Sequence, residues 1–165
     1  MTHDKEYYRQ TFLQKRDLLT PKTRHKLSQR IEEHLFSLSQ VAQADCLMFY
    51  VSFGSEVCTH KMIKHCFNSG KTVVVPRVDN QTRLLVPYQI KNFEHDLTNG
   101  IMGILEPKKS RCREVLPKDI DIVIVPGLVF TEDGWRIGYG GGFYDSFLRE
   151  AKLKTAAVAF EIQII

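Results

Sequence analysis

No Cys-x-x-Cys pair, no long apolar run and no block of one charge occurs in this sequence. The four cysteines (Cys46, Cys58, Cys66, Cys112) lack the paired spacing of zinc or redox sites and have no secretory context, so they read as reduced thiols. The longest apolar stretch, residues 120–125, is broken by Asp121 and falls far short of the roughly 20 residues a membrane helix needs. The opening MTHDKEYYRQ is not a charged-then-apolar leader, so a soluble cytoplasmic protein that does not engage membranes is expected. There is no internal repeat, low-complexity tract or Pro/Gly/Ser linker, and 165 residues fit one domain. With 43% hydrophobic and 25% charged residues, wholesale disorder is excluded. The 23 Lys and Arg exceed the 19 Asp and Glu by a net charge of +4, spread along the chain rather than gathered into a nucleic-acid stripe. One basic cluster stands out: Lys108, Lys109, Arg111 and Arg113. It lacks interleaved aromatics and reads as a solvated loop.

What is present is periodic. Tyr8, Phe12 and Leu19, with Leu13 alongside, predict a first helix reaching Leu19. Thr20 and Pro21 are an N-cap followed by a first-turn proline, opening a helix whose Leu27, Ile31, Leu35 and Leu38 recur at helical spacing. Residues 46–51 (CLMFYV) are apolar without alternation, as in a strand covered on both faces. Thr59 is expected to begin a helix that Gly70 stops, and residues 72–76, 84–88 and 121–125 read as strands. A helix over 143–153 and a strand over 155–160 follow. This alternation predicts an α/β fold, with a mostly parallel sheet and helices on both faces in a Rossmann-like three-layer α/β/α arrangement. Cys58, His60, His65 and Cys66 could suggest a metal site. On a helix, however, His60 and His65 point apart, so packing is the better account.

The chemistry is expected beyond the carboxyl ends of the strands. After strand 121–125 comes Arg136-Ile137-Gly138-Tyr139-Gly140-Gly141-Gly142-Phe143-Tyr144-Asp145, with four glycines in five positions leading into a helix. Such a loop lets backbone N–H groups approach an anion, and the helix N-terminus adds partial positive charge. Arg136 can clamp a phosphate, and Asp145 could face a divalent cation held by the same phosphates. Phe143-Tyr144 stands where a Walker A loop needs Lys-Ser/Thr, and Phe143 where a dinucleotide fingerprint needs its third glycine. Glu161, just past the next strand, keeps a dinucleotide reading open. Two alternatives therefore stand beside a nucleotide enzyme. One is a sugar-phosphate or dinucleotide-binding isomerase or oxidoreductase; the other is a non-catalytic polyanion binder.

The segment PGLVFTEDGWRIGYGGGFYDSFL closely resembles the signature of the 5-formyltetrahydrofolate cyclo-ligase (methenyltetrahydrofolate synthetase) family. Lys5-x-x-x-Arg9 resembles the family's N-terminal nucleotide-binding segment, Gly54-Ser55-Glu56-Val57-Cys58-Thr59 its substrate loop, and Gly103-Ile104-Leu105-Glu106-Pro107 its G-I-x-x-P element. The likeness runs from Lys5 to Glu161. It implies ATP- and Mg²⁺-dependent closure of 5-formyltetrahydrofolate, with or without a polyglutamate tail, to 5,10-methenyltetrahydrofolate. ADP and phosphate are the other products, the enzyme is expected as a monomer, and no nucleic-acid partner is implied.

By resemblance, Lys5, Glu6, Tyr7, Tyr8 and Arg9 contact ATP, as do Arg136, Ile137, Gly138, Tyr139, Gly140, Gly141, Gly142, Phe143 and Tyr144. Lys5, Arg9 and Arg136 would neutralise the transferring phosphate. Asp145 matches a Mg²⁺ ligand. Val51 and Glu56 match folate-contacting positions, with Tyr139, Gly140, Gly141, Gly142 and Phe143 also close to the folate. Many family members carry Arg or Lys where Tyr139 and Gly141 stand here. The family also continues past F-E-x-Q with an acidic stretch, a last strand and a further Mg²⁺-associated Asp. Residues 1–165 are therefore expected to be a single cyclo-ligase-like domain lacking that C-terminal segment, with Ile162, Ile164 and Ile165 exposed and backbone groups unpaired.

Overall fold

Three helices precede the first strand in the computed structural model, which describes residues 4–100 and 103–165. They are α1 (Lys5–Asp17), α2 (Pro21–Ser37) and α3 (Ser39–Gln43). Next come β1 (Cys46–Phe49), α4 (His60–Asn68), β2 (Thr72–Val78), β3 (Leu85–Ile90), α5 (Phe93–Asp96) and the short strands β4 (Leu97–Asn99), β5 (Leu105–Pro107) and β6 (Arg113–Glu114). The last part holds β7 (Ile122–Val125), β8 (Val129–Phe130), β9 (Arg136–Ile137), α6 (Phe143–Ala151) and β10 (Lys154–Ala157).

The main sheet has six strands in the order β10-β7-β1-β2-β3-β6. Its first four strands are mutually parallel, while β3 and β6 add antiparallel edges. The continuous apolar runs are explained by the two cores. Leu47, Phe49, Val73, Val75, Ile122 and Ile124 pack with Leu35, Val41, Met62 and Ile63 on one face. Cys46, Met48, Val74, Val123 and Val125 pack with Phe147 of α6 on the other. Alternate residues of one strand thus serve opposite layers, and the expected mostly parallel sheet with helices on both faces is what forms. The Asp121 carboxylate accepts from the Asp45 and Cys46 amides at 2.9 and 2.8 Å, fixing where β7 begins beside β1.

Several boundaries differ from the sequence reading. The first helix ends at Asp17, leaving Leu18 exposed and Leu19 in the turn before Thr20. Strand β1 stops at Phe49, because the Tyr50 carbonyl accepts from the Thr59 hydroxyl at 2.7 Å instead of continuing the ladder. Thr59 therefore makes no side-chain cap on α4; its hydroxyl also accepts from Ser52 N. Thr20, by contrast, caps α2 as expected, accepting from Thr23 N at 3.2 Å. Strand β10 spans only Lys154–Ala157, and α6 ends at Ala151.

The chain end is tied down rather than unpaired. Ile164 bridges Phe130, the Ile165 amide donates to the Phe130 carbonyl at 2.9 Å, and the buried Gln163 amide donates to the Gly127 and Leu128 carbonyls. The side chains of Ile162, Ile164 and Ile165 remain exposed. His60 meets the Ser52 carbonyl and the Phe93 ring, whereas His65 stacks on Phe36. Among the described residues no three His, Cys, Asp or Glu side chains gather to hold a metal, and no helix is long and apolar enough to cross a membrane. The basic cluster is occupied locally. Lys108 caps the His95 carbonyl, Lys109 and Arg111 pair with Asp79 and Asp96, and Arg113 meets Gln89.

Candidate active site

Strand β7 leads into the glycine-rich segment and β1 into residues 50–59, both from the same end of the parallel sheet. β8 and β9 form a short hairpin that presents Arg136. The loop then turns through Gly140 and Gly142, whose φ angles of +101° and +69° are left-handed and costly for any residue with a Cβ. Gly142 is also the N-cap of α6, so the loop opens onto that helix's free N–H groups.

Arg136 is held in place by neighbouring protein groups. Its guanidinium donates to the Pro126 carbonyl at 3.3 Å and to Asp145 Oδ1 at 2.5 Å, and lies 5.9 Å from the Tyr144 ring centre. Asp145 is mostly exposed, on the first turn of α6. The expected clamp and the expected metal ligand are therefore paired with each other. Helix α1 brings Arg9 to the same loop: its Nε donates to the Gly138 carbonyl at 3.0 Å, while its other arm pairs with Glu6. Lys5 lies one turn earlier and exposed; Tyr7 stands edge-on to Tyr8, which packs towards Phe12. Ile137 packs beside Phe12, Leu128 and Val129. Phe143 lies under Gly141 and carries the Arg83 guanidinium 5.6 Å above its ring.

Glu56 is buried yet reaches this loop. The Tyr139 hydroxyl donates to Glu56 Oε1 at 2.7 Å, and the Phe53 amide donates to Oε2 at 3.0 Å. Burial pushes the Glu56 carboxyl above its ordinary range, against the opposing hydrogen bonds from Tyr139 and Phe53 and the charge of Arg16. Arg16, only 2% exposed, donates to Tyr139 OH at 2.8 Å and Ser55 Oγ at 3.0 Å, and Ser55 in turn donates to Asp17. Burial also raises the Tyr50, Tyr139 and Tyr144 phenols, so all three stay protonated. Val51 is buried in the main core. The Tyr144 hydroxyl is buried without a hydrogen-bond partner among the described residues. Burial raises the Cys46 thiol to about 11 and the Cys66 thiol to about 12, so neither serves as a nucleophile.

The fold thus gathers Arg9, the glycine loop and Glu56 at one end of the sheet, with Lys5 exposed one turn before Arg9. Sequence reasoning missed Arg16, Ser55 and Arg83. An arginine in the last turn of a helix ordinarily reads as a dipole partner exposed to water, and nothing local marks it as buried.

The model of the 5-formyltetrahydrofolate cyclo-ligase family matches residues 1–165. The chain belongs to that family. The 5-formyltetrahydrofolate cyclo-ligase of Escherichia coli K12 is 29% identical over 163 residues, covering 92% of this chain and 85% of the relative. The mouse cyclo-ligase is 28% identical over 156 residues, covering 88% and 77%. The NMR structure of Aquifex aeolicus 5,10-methenyltetrahydrofolate synthetase superposes with a TM-score of 0.85 at 28% identity, covering 97% of this chain and 79% of that one.

Proposed function

We propose that this chain closes 5-formyltetrahydrofolate to 5,10-methenyltetrahydrofolate at the expense of ATP, in the cytoplasm and as a monomer. The observation that carries the reading is the Tyr139–Glu56 hydrogen bond, which sets a buried acceptor against the glycine loop. A folate held by Glu56 and a triphosphate on the loop would then be neighbours. The formyl oxygen on N5 is amide-like and a poor leaving group. Transfer of the γ-phosphoryl group to it releases ADP; N10 then attacks the formyl carbon, the C–O bond breaks, and the N10 proton leaves with the phosphate. Such transfer needs positioning and charge neutralisation rather than a protein nucleophile.

Arg136 and Arg9 supply cations, with Lys5 a turn away, and the loop amides supply donors. Phosphate oxygens compete with Asp145 for Arg136 and free that carboxylate. An exposed single carboxylate at a helix start fits a Mg²⁺ that arrives with the nucleotide, completed by phosphate oxygens and water, rather than a resident metal site. When bound, Mg²⁺ neutralises phosphate charge; Asp145 would hold it. The test is absorbance of the methenyl product, followed with ATP hydrolysis in the presence and absence of 5-formyltetrahydrofolate. Folate-dependent hydrolysis matched by methenyl formation is expected. Hydrolysis without methenyl product, or neither, overturns the reading.

A further inference from the structure

Arg16 touches neither proposed ligand loop through its backbone, yet its guanidinium sits between two carboxylates at one remove from each. A guanidinium can only donate. Tyr139 oxygen, 2.8 Å from Arg16 Nη2, must therefore accept that bond, and its single proton is left for Glu56 Oε1 at 2.7 Å. Ser55 repeats the arrangement: it accepts from Arg16 Nε and donates to Asp17. Each hydroxyl turns the arginine's donor into a proton aimed at a carboxylate. With Phe53 N on Oε2, both Glu56 oxygens face donors, an arrangement suited to the ionised form. A buried arginine needs such partners, because an uncompensated charge at this depth is strongly destabilising.

We infer that Arg16 is a positioning residue for Glu56, fixing the direction of the Tyr139 proton and hence the acceptor face that Glu56 turns to the folate. The inference rests on the proposed function, in which Glu56 meets the pterin. The groups facing Glu56 come from four parts of the chain: Arg16 of α1, Tyr50 after β1, Tyr139 of the glycine loop and Tyr144 of α6, together with the Phe53 amide. Of the side chains, Tyr139 and Arg16 favour the carboxylate, whereas burial and the phenols of Tyr50 and Tyr144 do not stabilise its charge. Losing either Tyr139 OH or Arg16 therefore raises the Glu56 pKa and delays formation of the acceptor as pH increases.

The test is steady-state methenyl formation across pH in Tyr139→Phe, Arg16→Met, Arg16→Lys and the double variant Tyr139→Phe/Arg16→Met. Tyr139→Phe keeps the ring beside Phe53 and removes one oxygen from a residue that is 41% exposed, so it folds even if Arg16→Met does not. The KM for folate is expected to rise about tenfold, the scale of one hydrogen bond to a charged group, and to rise more than the KM for ATP. The acid limb of kcat/KM for folate should move to higher pH in both single variants. Because the two groups act in series, the double variant should be no worse than the poorer single one, and Arg16→Lys should recover part of the loss. An unmoved acid limb in Tyr139→Phe, or additive losses in a folded double variant, overturns the inference. Inactivity of the parent chain with folate and ATP would instead overturn the proposed function.

Discussion

At the scale of single residues, Arg136 and Tyr144 separate stability from chemistry. Arg136 pairs with a largely exposed Asp145 and meets a carbonyl at 3.3 Å and the Tyr144 ring, with its own side chain 14% exposed, so its loss should cost the fold about 1–2 kcal/mol. A charge-assisted phosphate contact contributes about 1.5–3 kcal/mol, so Arg136→Ala should lower kcat/KM for ATP by roughly 10- to 150-fold. Unchanged turnover in a folded Arg136→Ala protein would remove the clamp assignment. Tyr144 makes the opposite case. Its hydroxyl is buried without a partner among the described residues, so Tyr144→Phe removes a desolvated group and leaves the ring in both cores. Urea unfolding should show stability unchanged or raised by about 1 kcal/mol, while ligand affinity falls. A clear loss of stability would mean that the fold itself uses that hydroxyl. Glu56→Gln should raise the KM for folate and leave ATP binding, measured by calorimetry, nearly intact. Equal losses for both ligands would dissolve the division between a folate side and a nucleotide side.

Elements differ in how plainly the sequence announces them. The strands of the parallel half are legible because each is covered on both faces and must be apolar throughout, as residues 46–51 and 122–125 are. The short β4, β5, β6, β8 and β9 leave no such trace, since two or three residues carry no periodicity. At α2 the Thr20-Pro21 signal is local and correct, and at α4 Thr59 does stand at the start of the helix, but its hydroxyl serves the chain leaving β1 instead of the helix amides. The glycine loop is legible for a similar local reason: its turns need left-handed residues, and the helix behind it follows directly. The partners that aim it are not, because Arg9 and Arg16 meet it across more than a hundred residues of sequence. Thr20 offers a control remote from the site. Thr20→Ala should reduce stability by about 1 kcal/mol in urea and leave methenyl formation at its parent rate. A matching loss of activity would show that α2 bears on the catalytic loops.

On the scale of the whole molecule, α1 connects the two loops assigned above to nucleotide and folate under the proposed function. Its first half holds the Gly138 carbonyl through Arg9, and its last turn holds Tyr139 and Ser55 through Arg16. Tyr139 belongs to the glycine loop and Ser55 to the loop that carries Glu56, so restraint of one loop is passed to the other through a single rigid helix. Nucleotide bound along residues 138–142 should reduce the motion of Tyr139 and present Glu56 already oriented, so that less ordering is left for folate binding to accomplish. Calorimetry with a non-hydrolysable ATP analogue and Mg²⁺ should then show folate binding about 5- to 10-fold tighter than without nucleotide. Thermodynamic reciprocity requires folate to tighten the analogue by the same factor. Arg9→Ala, which releases the Gly138 carbonyl, should bring that factor towards one without abolishing either binding event. Independent binding of the two ligands in the parent protein would mean that α1 merely supports the site and does not link its halves.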